Sequence, residues 1–173
     1  MSAEFHEISE KDLTIVKEIY DYYILNSTAT FHTERISIAE LKEIIPVNHS
    51  RYKAFLIYDN GEVCGYCYMA PYKKRQAYDR SAEITIYLKP GFTGKGIGKK
   101  AIQKMETIAL GNGIRVLLGI LTGENNASIR LFETCGFEKC AHFKKVGEKF
   151  NKILDVVAYQ KILDNLVLSS LSR

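Results

Sequence analysis

Apolar and polar positions along the chain follow two periods, and the longer period predicts helices. Near the N-terminus, apolar side chains recur three and four positions apart, which places them on one face of a helix. These residues are Leu13, Val16, Tyr20 and Tyr23. Asp12, a favourable N-cap residue, is expected to begin this helix. The block SIAELKEII predicts a second, shorter helix that stops at Pro46.

Short blocks of β-branched and aromatic residues predict strands. The first is EFHEIS, and YKAFLIYDNGEVCGYCYMA predicts two strands joined at Asn60-Gly61, a favourable hairpin pair. SAEITIYLK predicts another strand, and IRVLLGILT is nearly all apolar, as expected for a strand buried on both faces. The block EKCAHFKKVGEKFNKILDVVAYQKIL predicts two long strands joined by Val146-Gly147-Glu148.

Two further helices are predicted between the later strands. One runs from Gly96 to Leu110, and the other, NNASIRLFETCGF, ends at Gly136. This order of elements predicts an α/β (α+β) fold in which helices flank one central mixed β-sheet, with a strand–helix–strand unit at its centre. We expect one domain over residues 1–173.

Composition and charge narrow the class of ligand. The hydrophobic fraction of 46% and the charged fraction of 25% are ordinary for a globular protein. The net charge of +4 is mild and no basic run exceeds three residues, which favours a small anionic ligand over nucleic acid. No apolar stretch reaches the length of a membrane span, and the polar N-terminus does not resemble a signal peptide. We therefore expect a cytoplasmic protein that binds neither nucleic acid nor a membrane.

The cysteines do not predict a metal site. They are Cys64, Cys67, Cys135 and Cys140. The first two form a CxxC pattern inside a predicted strand, where residues three apart point to opposite faces of the sheet. We therefore expect buried, reduced thiols and no bound metal.

A glycine-rich turn precedes the predicted helix at Gly96, in the segment KPGFTGKGIGKKAIQKMETIA. Backbone N–H groups at a helix N-terminus, together with the positive end of the helix dipole, form an anion site. Lysines in the turn add full positive charges, so a diphosphate is the expected ligand. The residues expected to hold it are Thr93, Gly94, Lys95, Gly96, Ile97, Gly98 and Lys99.

Three known phosphate-binding patterns can be compared with this turn. The mononucleotide P-loop fails, because Ile97 stands where its lysine is required. The dinucleotide pattern G-x-G-x-x-[GA] is met by Gly96, Gly98 and Ala101, but seven residues separate Leu88 from Gly96, whereas the first glycine should close the strand. The coenzyme A pyrophosphate pattern [QR]-x-x-G-x-[GA] fits residues 93–98 in all but the first position.

Four segments together resemble the GNAT superfamily of acyl-coenzyme A N-acyltransferases. They are YYILNSTATFHTE at 22–34, PYKKRQAYDRSAEITIYLKP at 71–90, the glycine turn, and GENNASIRLFETCGF at 123–137. The last resembles the superfamily signature E-N-x-x-S-x-x-x-[YF]-x-x-x-G-F. Within the superfamily, nearly the whole chain is similar to phosphinothricin N-acetyltransferases and to methionine sulfone or sulfoximine acetyltransferases.

The resemblance implies a GNAT fold whose two central parallel strands, here 83–88 and 114–121, splay apart. The pantetheine arm of acetyl-CoA would lie in this gap, along the backbone of Ile86, Tyr87 and Leu88. Diverging strands leave N–H and C=O groups unpaired, and an amide-bearing arm can satisfy them. A backbone N–H near Leu88 would polarise the thioester carbonyl.

The resemblance also assigns Asn125 and Ser128 to positions that contact the cofactor arm. Two residues depart from the family pattern. Thr93 stands where the turn usually begins with Gln or Arg, which removes a long side-chain donor near the diphosphate. Phe132 stands where many members have the tyrosine that protonates the departing thiolate, so no general acid is assigned.

Glu83 is the candidate general base. Acetyl transfer requires a neutral amine, and most amines are protonated near neutral pH, so a base must remove a proton. Glu83 lies in SAEITIYL, three residues before Ile86, and matches the position of the family's glutamate. A carboxylate in a partly desolvated cleft has a raised pKa, which makes it a better base.

The basic loop YKKRQAYDR is the candidate acceptor site. The resemblance makes Arg75 and Arg80 anion contacts, with Phe31 and Tyr78 as apolar walls; guanidinium groups suit carboxylate, phosphinate and sulfone oxygens. The expected function is acetyl-CoA-dependent N-acetylation of the α-amine of a small amino acid or analogue, by a homodimer. An N-acetyltransferase of protein or peptide amines, a non-catalytic acyl-CoA-binding module and an NAD(P) oxidoreductase stay open as alternatives.

Overall fold

The computed structural model describes residues 3–163, which form seven strands and four α-helices. The strands are β1 (Ala3–Glu7), β2 (Ala54–Asp59), β3 (Glu62–Pro71), β4 (Ser81–Leu88), β5 (Val116–Thr122), β6 (Glu138–Lys149) and β7 (Lys152–Ile162). The helices are α1 (Leu13–Asn26), α2 (Ile38–Ile44), α3 (Ile97–Gly111) and α4 (Asn126–Thr134). Every strand and α-helix predicted from the sequence is therefore present.

All seven strands belong to one mixed sheet with the order β1-β2-β3-β4-β5-β7-β6. Neighbouring strands are antiparallel except β4 and β5, which are parallel and are connected through α3. The predicted central mixed sheet flanked by helices is confirmed.

Each face of the sheet is covered by its own hydrophobic core. One core combines residues of α1 and α2 with Leu56 and Tyr66 of the sheet. The other combines residues of α3 and Phe132 of α4 with Met69 and Ile84. Alternation along the strands separates the two sets, since successive side chains point to opposite faces. The α1/α2 face is the one that carries the candidate base described below.

Helix α2 begins with the capping residues that its sequence indicates. At α1, Asp12 occupies the predicted N-cap position, but its side chain does not cap the helix. Ser37 accepts a hydrogen bond from the N–H of Glu40, whose carboxylate accepts one from Ser37 N, which is a capping box. Asp12 does precede α1, but its carboxylate turns back and accepts from Ser9 N and Ser9 Oγ at 2.9 and 2.6 Å. The aspartate therefore fixes the turn before the helix rather than the helix itself.

The predicted turn between the last two strands is wrong. The chain reverses at Phe150-Asn151, both with positive φ (54° and 56°). Val146-Gly147-Glu148 lies within β6, at the point where regular pairing with β7 resumes after an irregularity between Phe143 and Gly147. Gly147 instead allows the ring of Phe31 to pack closely on β6, because a Cβ at position 147 would lie 3.3 Å from that ring. A glycine in this block indicates packing and not the turn.

The two CxxC cysteines lie in the same core, contrary to the opposite faces expected from strand alternation. The register of β3 shifts beside Cys64, and this irregularity cancels the alternation between Cys64 and Cys67. Both thiols are fully buried, whereas Cys135 is half-buried and Cys140 is exposed; all four are free. Over residues 3–163, no cluster of His, Cys, Asp and Glu could hold a metal ion, and no helix is long and apolar enough to cross a membrane.

Candidate active site

A gap opens between the two parallel strands at the centre of the sheet. β4 and β5 pair at only three positions, the last of which is Glu83 with Leu118. β4 nevertheless continues to Leu88 and β5 to Thr122, so the strands diverge beyond Glu83. The splay implied by the family resemblance is therefore present in the molecule.

The backbone groups that face this gap can be assigned from the flanking hydrogen bonds. Lys89 N donates to Cys64 O at 2.8 Å, so odd-numbered residues of β4 face β3. Val116 N donates to Arg80 O at 3.0 Å, so even-numbered residues face β5. Beyond the last paired position, the N–H and C=O groups of Ile86 and Leu88 therefore point into the gap.

Tyr87 is placed differently from its two neighbours in the predicted cofactor set. As an odd-numbered residue it pairs with Tyr66 of β3, and its backbone faces away from the gap. Its ring packs on the α1/α2 face, 5.5 Å from Tyr20 and 4.8 Å from Tyr23 between ring centroids. Any contact of Tyr87 with a ligand would therefore come through its side chain.

The glycine turn forms an exposed helix N-terminus. Gly94 and Gly96 have φ of 74° and 79°, a conformation that side chains disfavour, and Gly96 is the N-cap of α3. The first N–H groups of the helix, which include those of Ile97 and Lys99, have no intrahelical acceptor. Thr93 and Lys95 are exposed beside them.

Gly98 has a structural reason that is independent of any ligand. A Cβ at this position would lie 2.7 Å from Leu131 Cδ2, so Gly98 allows α3 to pack closely on α4. Asn125 likewise has a structural role, because its side chain caps α4 by accepting from Ser128 N at 3.2 Å. The three-residue spacing of Asn125 and Ser128 in the signature is therefore explained by the capping of α4.

The carboxyl group of Glu83 lies on the α1/α2 face at the point where the strands diverge. It is half-buried, opposite Ala70 of β3. Burial raises the pKa of Glu83 above the ordinary value of 4.5, and the positive charge of Lys73 lowers the pKa in part. A desolvated carboxylate at this position can accept a proton near the gap.

A cluster of hydroxyl groups covers the same face of β4. Tyr20 Oη hydrogen-bonds to Thr30 Oγ1 at 2.8 Å and to His32 Nδ1 at 2.5 Å. Burial raises the pKa of Tyr87, and Thr30 lowers that pKa in part. These contacts bring the loop after α1 over the β4 surface that carries Glu83.

The loop after α1 is anchored by two buried polar side chains that the sequence does not point to. Lys149 Nζ donates to the carbonyl groups of Ser27 and Thr30 at 2.7 and 2.9 Å, and this lysine is only 2% exposed. Thr122, at the end of β5, donates to Thr28 O at 2.9 Å. Burial lowers the pKa of Lys149.

The residues predicted to bind the acceptor are exposed. Phe31, on the loop after α1, packs against Gly147 of β6 and is 43% exposed. Arg75, Tyr78 and Arg80 lie on the loop between β3 and β4, which ends just before the strand that carries Glu83. Within this loop, the charge that acts on Glu83 is that of Lys73.

Comparison with known proteins defines the class. The model of the acetyltransferase (GNAT) family matches residues 16–137, which is more than half of the chain. The chain therefore belongs to the acetyltransferase (GNAT) family and is an acyltransferase that uses acetyl-CoA as its acetyl donor. The resemblance drawn from the sequence motifs is confirmed.

Particular relatives carry more specific names. The chain is 30% identical to phosphinothricin N-acetyltransferase of Streptomyces coelicolor, over 89% of this chain and 92% of that protein. It is 27% identical to L-methionine sulfoximine/L-methionine sulfone acetyltransferase of Salmonella typhimurium, over 88% and 90%. A phosphinothricin acetyltransferase of Sinorhizobium meliloti, solved in complex with acetyl-CoA, superposes with a TM-score of 0.87 at 30% identity, over 94% of this chain and 89% of that one.

Proposed function

We propose that this protein, as a single domain over residues 1–173, acetylates the α-amine of a small amino acid or analogue of the phosphinothricin or methionine sulfone and sulfoximine type. Glu83 acts as the general base. The observation that carries the proposal is the position of this desolvated carboxylate at the mouth of the β4–β5 gap. The names of the relatives support the acceptor class.

The residues around the gap fit acetyl-CoA, which supplies an activated acetyl group. The gap-facing backbone of Ile86 and Leu88 offers the donors and acceptors that an amide-bearing arm requires. The exposed N-terminus of α3 after Gly96, with Lys95 and Lys99, offers N–H groups and positive charge to a diphosphate. These side chains make up for the missing donor at the first position of the turn.

The chemistry assigned to this chain is proton removal and charge stabilisation. Glu83 accepts a proton from the acceptor ammonium, directly or through water, so that the amine nitrogen can attack the thioester carbon. Its raised pKa increases its basicity. The gap-facing N–H of Leu88 stabilises the negative charge that develops on the carbonyl oxygen.

The acceptor is proposed to lie between the β3–β4 loop and the loop after α1. Arg75 and Arg80 would contact its acidic or tetrahedral head group, and Phe31 and Tyr78 would line its apolar part. The exposure of these side chains supports a site open to a free small molecule. The same cationic loop disfavours lysine side chains as acceptors, through charge repulsion.

An acceptor screen tests the proposal. Purified protein is incubated with acetyl-CoA and released thiol is measured against free amino acids, their sulfone, sulfoximine and phosphinate analogues, polyamines and peptides. Turnover on amino acids with tetrahedral head groups is expected. Turnover confined to peptides would favour a peptide N-acetyltransferase, and acetyl-CoA binding without turnover on any amine would favour a binding module.

We further propose that the protein acts in the cytoplasm as a homodimer. The β6–β7 hairpin carries five large apolar side chains that are more than half exposed, a pattern that suits contact with a second copy. They are Phe143, Val146, Phe150, Ile153 and Ile162. Sedimentation of the wild-type chain and of Ile153→Asp tests this proposal, since a dimer dependent on this surface would dissociate in the variant.

A further inference from the structure

The departing thiolate lacks the proton donor that the family pattern supplies from α4. Phe132 has no hydroxyl group, and its ring is 3% exposed. The ring packs against Phe137, at 4.9 Å between centroids, and against Gly119 of β5, where a Cβ would lie 2.2 Å from Phe132 Cε1. This part of α4 therefore fills the core and offers no acidic proton to the gap.

A phenol from the other side of the sheet stands at the edge of the gap. Tyr23 Oη of α1 donates a hydrogen bond to Leu88 O at 2.5 Å. Because Leu88 is an even-numbered residue of β4, this carbonyl group points toward β5, where the strands have diverged. The hydroxyl group of Tyr23 therefore lies beside the N–H of Leu88 that is proposed to hold the thioester.

The surroundings of Tyr23 hold its ring in place and keep its proton on the oxygen. The ring packs 4.8 Å from Tyr87 and 5.5 Å from Tyr22 between centroids, and the residue is half-buried. Lys149 Nζ contacts the carbonyl group of Tyr23 at 3.4 Å, at the end of the helix. Burial and the neighbouring Tyr22 raise the pKa of the Tyr23 phenol, so it is neutral at physiological pH.

Two other phenols on this face are placed away from the gap-facing backbone. Tyr66 is 1% exposed in the core. Tyr20 hydrogen-bonds to Thr30 and to His32. Within the part of the chain that the structure describes, Tyr23 is the phenol seen hydrogen-bonded to the gap-facing backbone of β4.

We propose that Tyr23 is the proton donor to the departing sulfur, taking the role that Phe132 cannot fill; this inference rests on the proposed function. The amine nitrogen forms a bond to the acetyl carbon, and the carbon–sulfur bond breaks with its electron pair moving to sulfur. Sulfur takes the phenolic proton of Tyr23, and the nitrogen of the intermediate loses its second proton, which returns through water to the Tyr23 phenolate. Glu83 releases the proton it took from the acceptor, so the net products are the acetyl amide, the free thiol of coenzyme A and one proton.

The first test is the single-turnover rate of Tyr23→Phe at saturating acetyl-CoA and acceptor. This variant keeps the ring and removes only the hydroxyl group. The rate is expected to fall about 100-fold, the lower end of the range for proton-transfer catalysis, because an alkyl thiolate is a tolerable leaving group. Calorimetry is expected to give an unchanged affinity for acetyl-CoA.

Tyr22→Phe is the matched control, since Tyr22 is the adjacent phenol of the same helix and is 44% exposed. It should retain the wild-type rate. A Tyr23→Phe rate within twofold of wild type, or an equal loss in Tyr22→Phe, would overturn the role of Tyr23. A wild-type chain that turns over no amine would instead overturn the proposed function itself, so the two failures are distinguishable.

A second measurement separates proton donation from packing. Tyr23→3-fluorotyrosine keeps the hydroxyl group and lowers its pKa, so the alkaline limb of the rate profile should move to lower pH. The groups that face this phenol are Tyr22, Tyr87 and, at its backbone, Lys149, and all three are unchanged in this variant. An alkaline limb that does not move would overturn proton donation by Tyr23.

Discussion

Replacing Lys149 by methionine should destabilise the protein and loosen the loop after α1. The lysine is 2% exposed, and its Nζ donates to Ser27 O and Thr30 O at 2.7 and 2.9 Å. Methionine has a similar length but no donor, so both carbonyl groups lose their partner. Among the contacts that the structure describes, no carboxylate pairs with the ammonium. These hydrogen bonds are therefore the main interactions that offset the cost of desolvating it.

The size of the effect follows from these contacts. A hydrogen bond with a charged donor contributes about 1.5–3 kcal/mol, and the two short ones to Ser27 O and Thr30 O are lost, together with the longer and weaker one to Tyr23 O. Part of this loss is offset because the ammonium no longer has to be desolvated, a cost visible in its lowered pKa. A net loss of about 3 kcal/mol in the free energy of unfolding is expected, which lowers Tm by about 6–12 °C in a chain of this size.

Urea unfolding and acceptor kinetics together provide the assay. Lys149→Met should lose stability and raise the KM for the acceptor, while the KM for acetyl-CoA stays the same, because the loop lies on the acceptor side of β4. Lys139→Met, an exposed lysine of the same strand, is the control and should behave as wild type. Equal stability of Lys149→Met and Lys139→Met would refute the anchoring role of Lys149.

Two glycine substitutions test packing and the cofactor turn. Gly119→Ala should lower the free energy of unfolding in urea by about 3 kcal/mol, because the new Cβ would meet three ring atoms of Phe132 at 2.2–2.8 Å. Gly111→Ala is the control, since a Cβ there meets open space. Equal stability of the two variants would contradict the clash. Gly96→Ala should strain the left-handed N-cap by about 1–2 kcal/mol and weaken acetyl-CoA binding about tenfold in calorimetry. Gly61→Ala has the same positive φ in the β2–β3 hairpin and should lose stability without losing affinity, so equal affinities of these two variants would refute the diphosphate turn.

The regular elements are predictable from the sequence because local signals agree with the fold. Asn60-Gly61 both have positive φ, as their residue types favour, and the turn falls where the sequence predicts. Phe150-Asn151 adopts the same kind of turn without glycine, so its position is set by the pairing of β6 with β7. Glycine at 147 is explained by the aromatic ring of a distant loop, which a local pattern does not include.

The candidate site shows the same division between local and distant signals. The glycine turn and the capping pair of α4 lie in local motifs, and Glu83 is predicted through the resemblance of its strand to the family. Lys149 cannot, since its acceptors lie 119 to 126 residues away in the sequence. Tyr23 is predicted only as part of the apolar face of α1, and its contact with Leu88, 65 residues away, depends on how the helix crosses the sheet.

The pH–rate profile of Glu83→Gln tests most directly whether this carboxylate takes the proton of the acceptor. In the wild type, kcat/KM should fall as pH drops through the pKa of Glu83, which burial raises above 4.5, since the protonated acid cannot act as a base. Glu83→Gln should bind acetyl-CoA normally, lose about 10²–10⁴ in kcat/KM and lose this acidic limb. Activity within tenfold of wild type, with the acidic limb intact, would contradict Glu83 as the base.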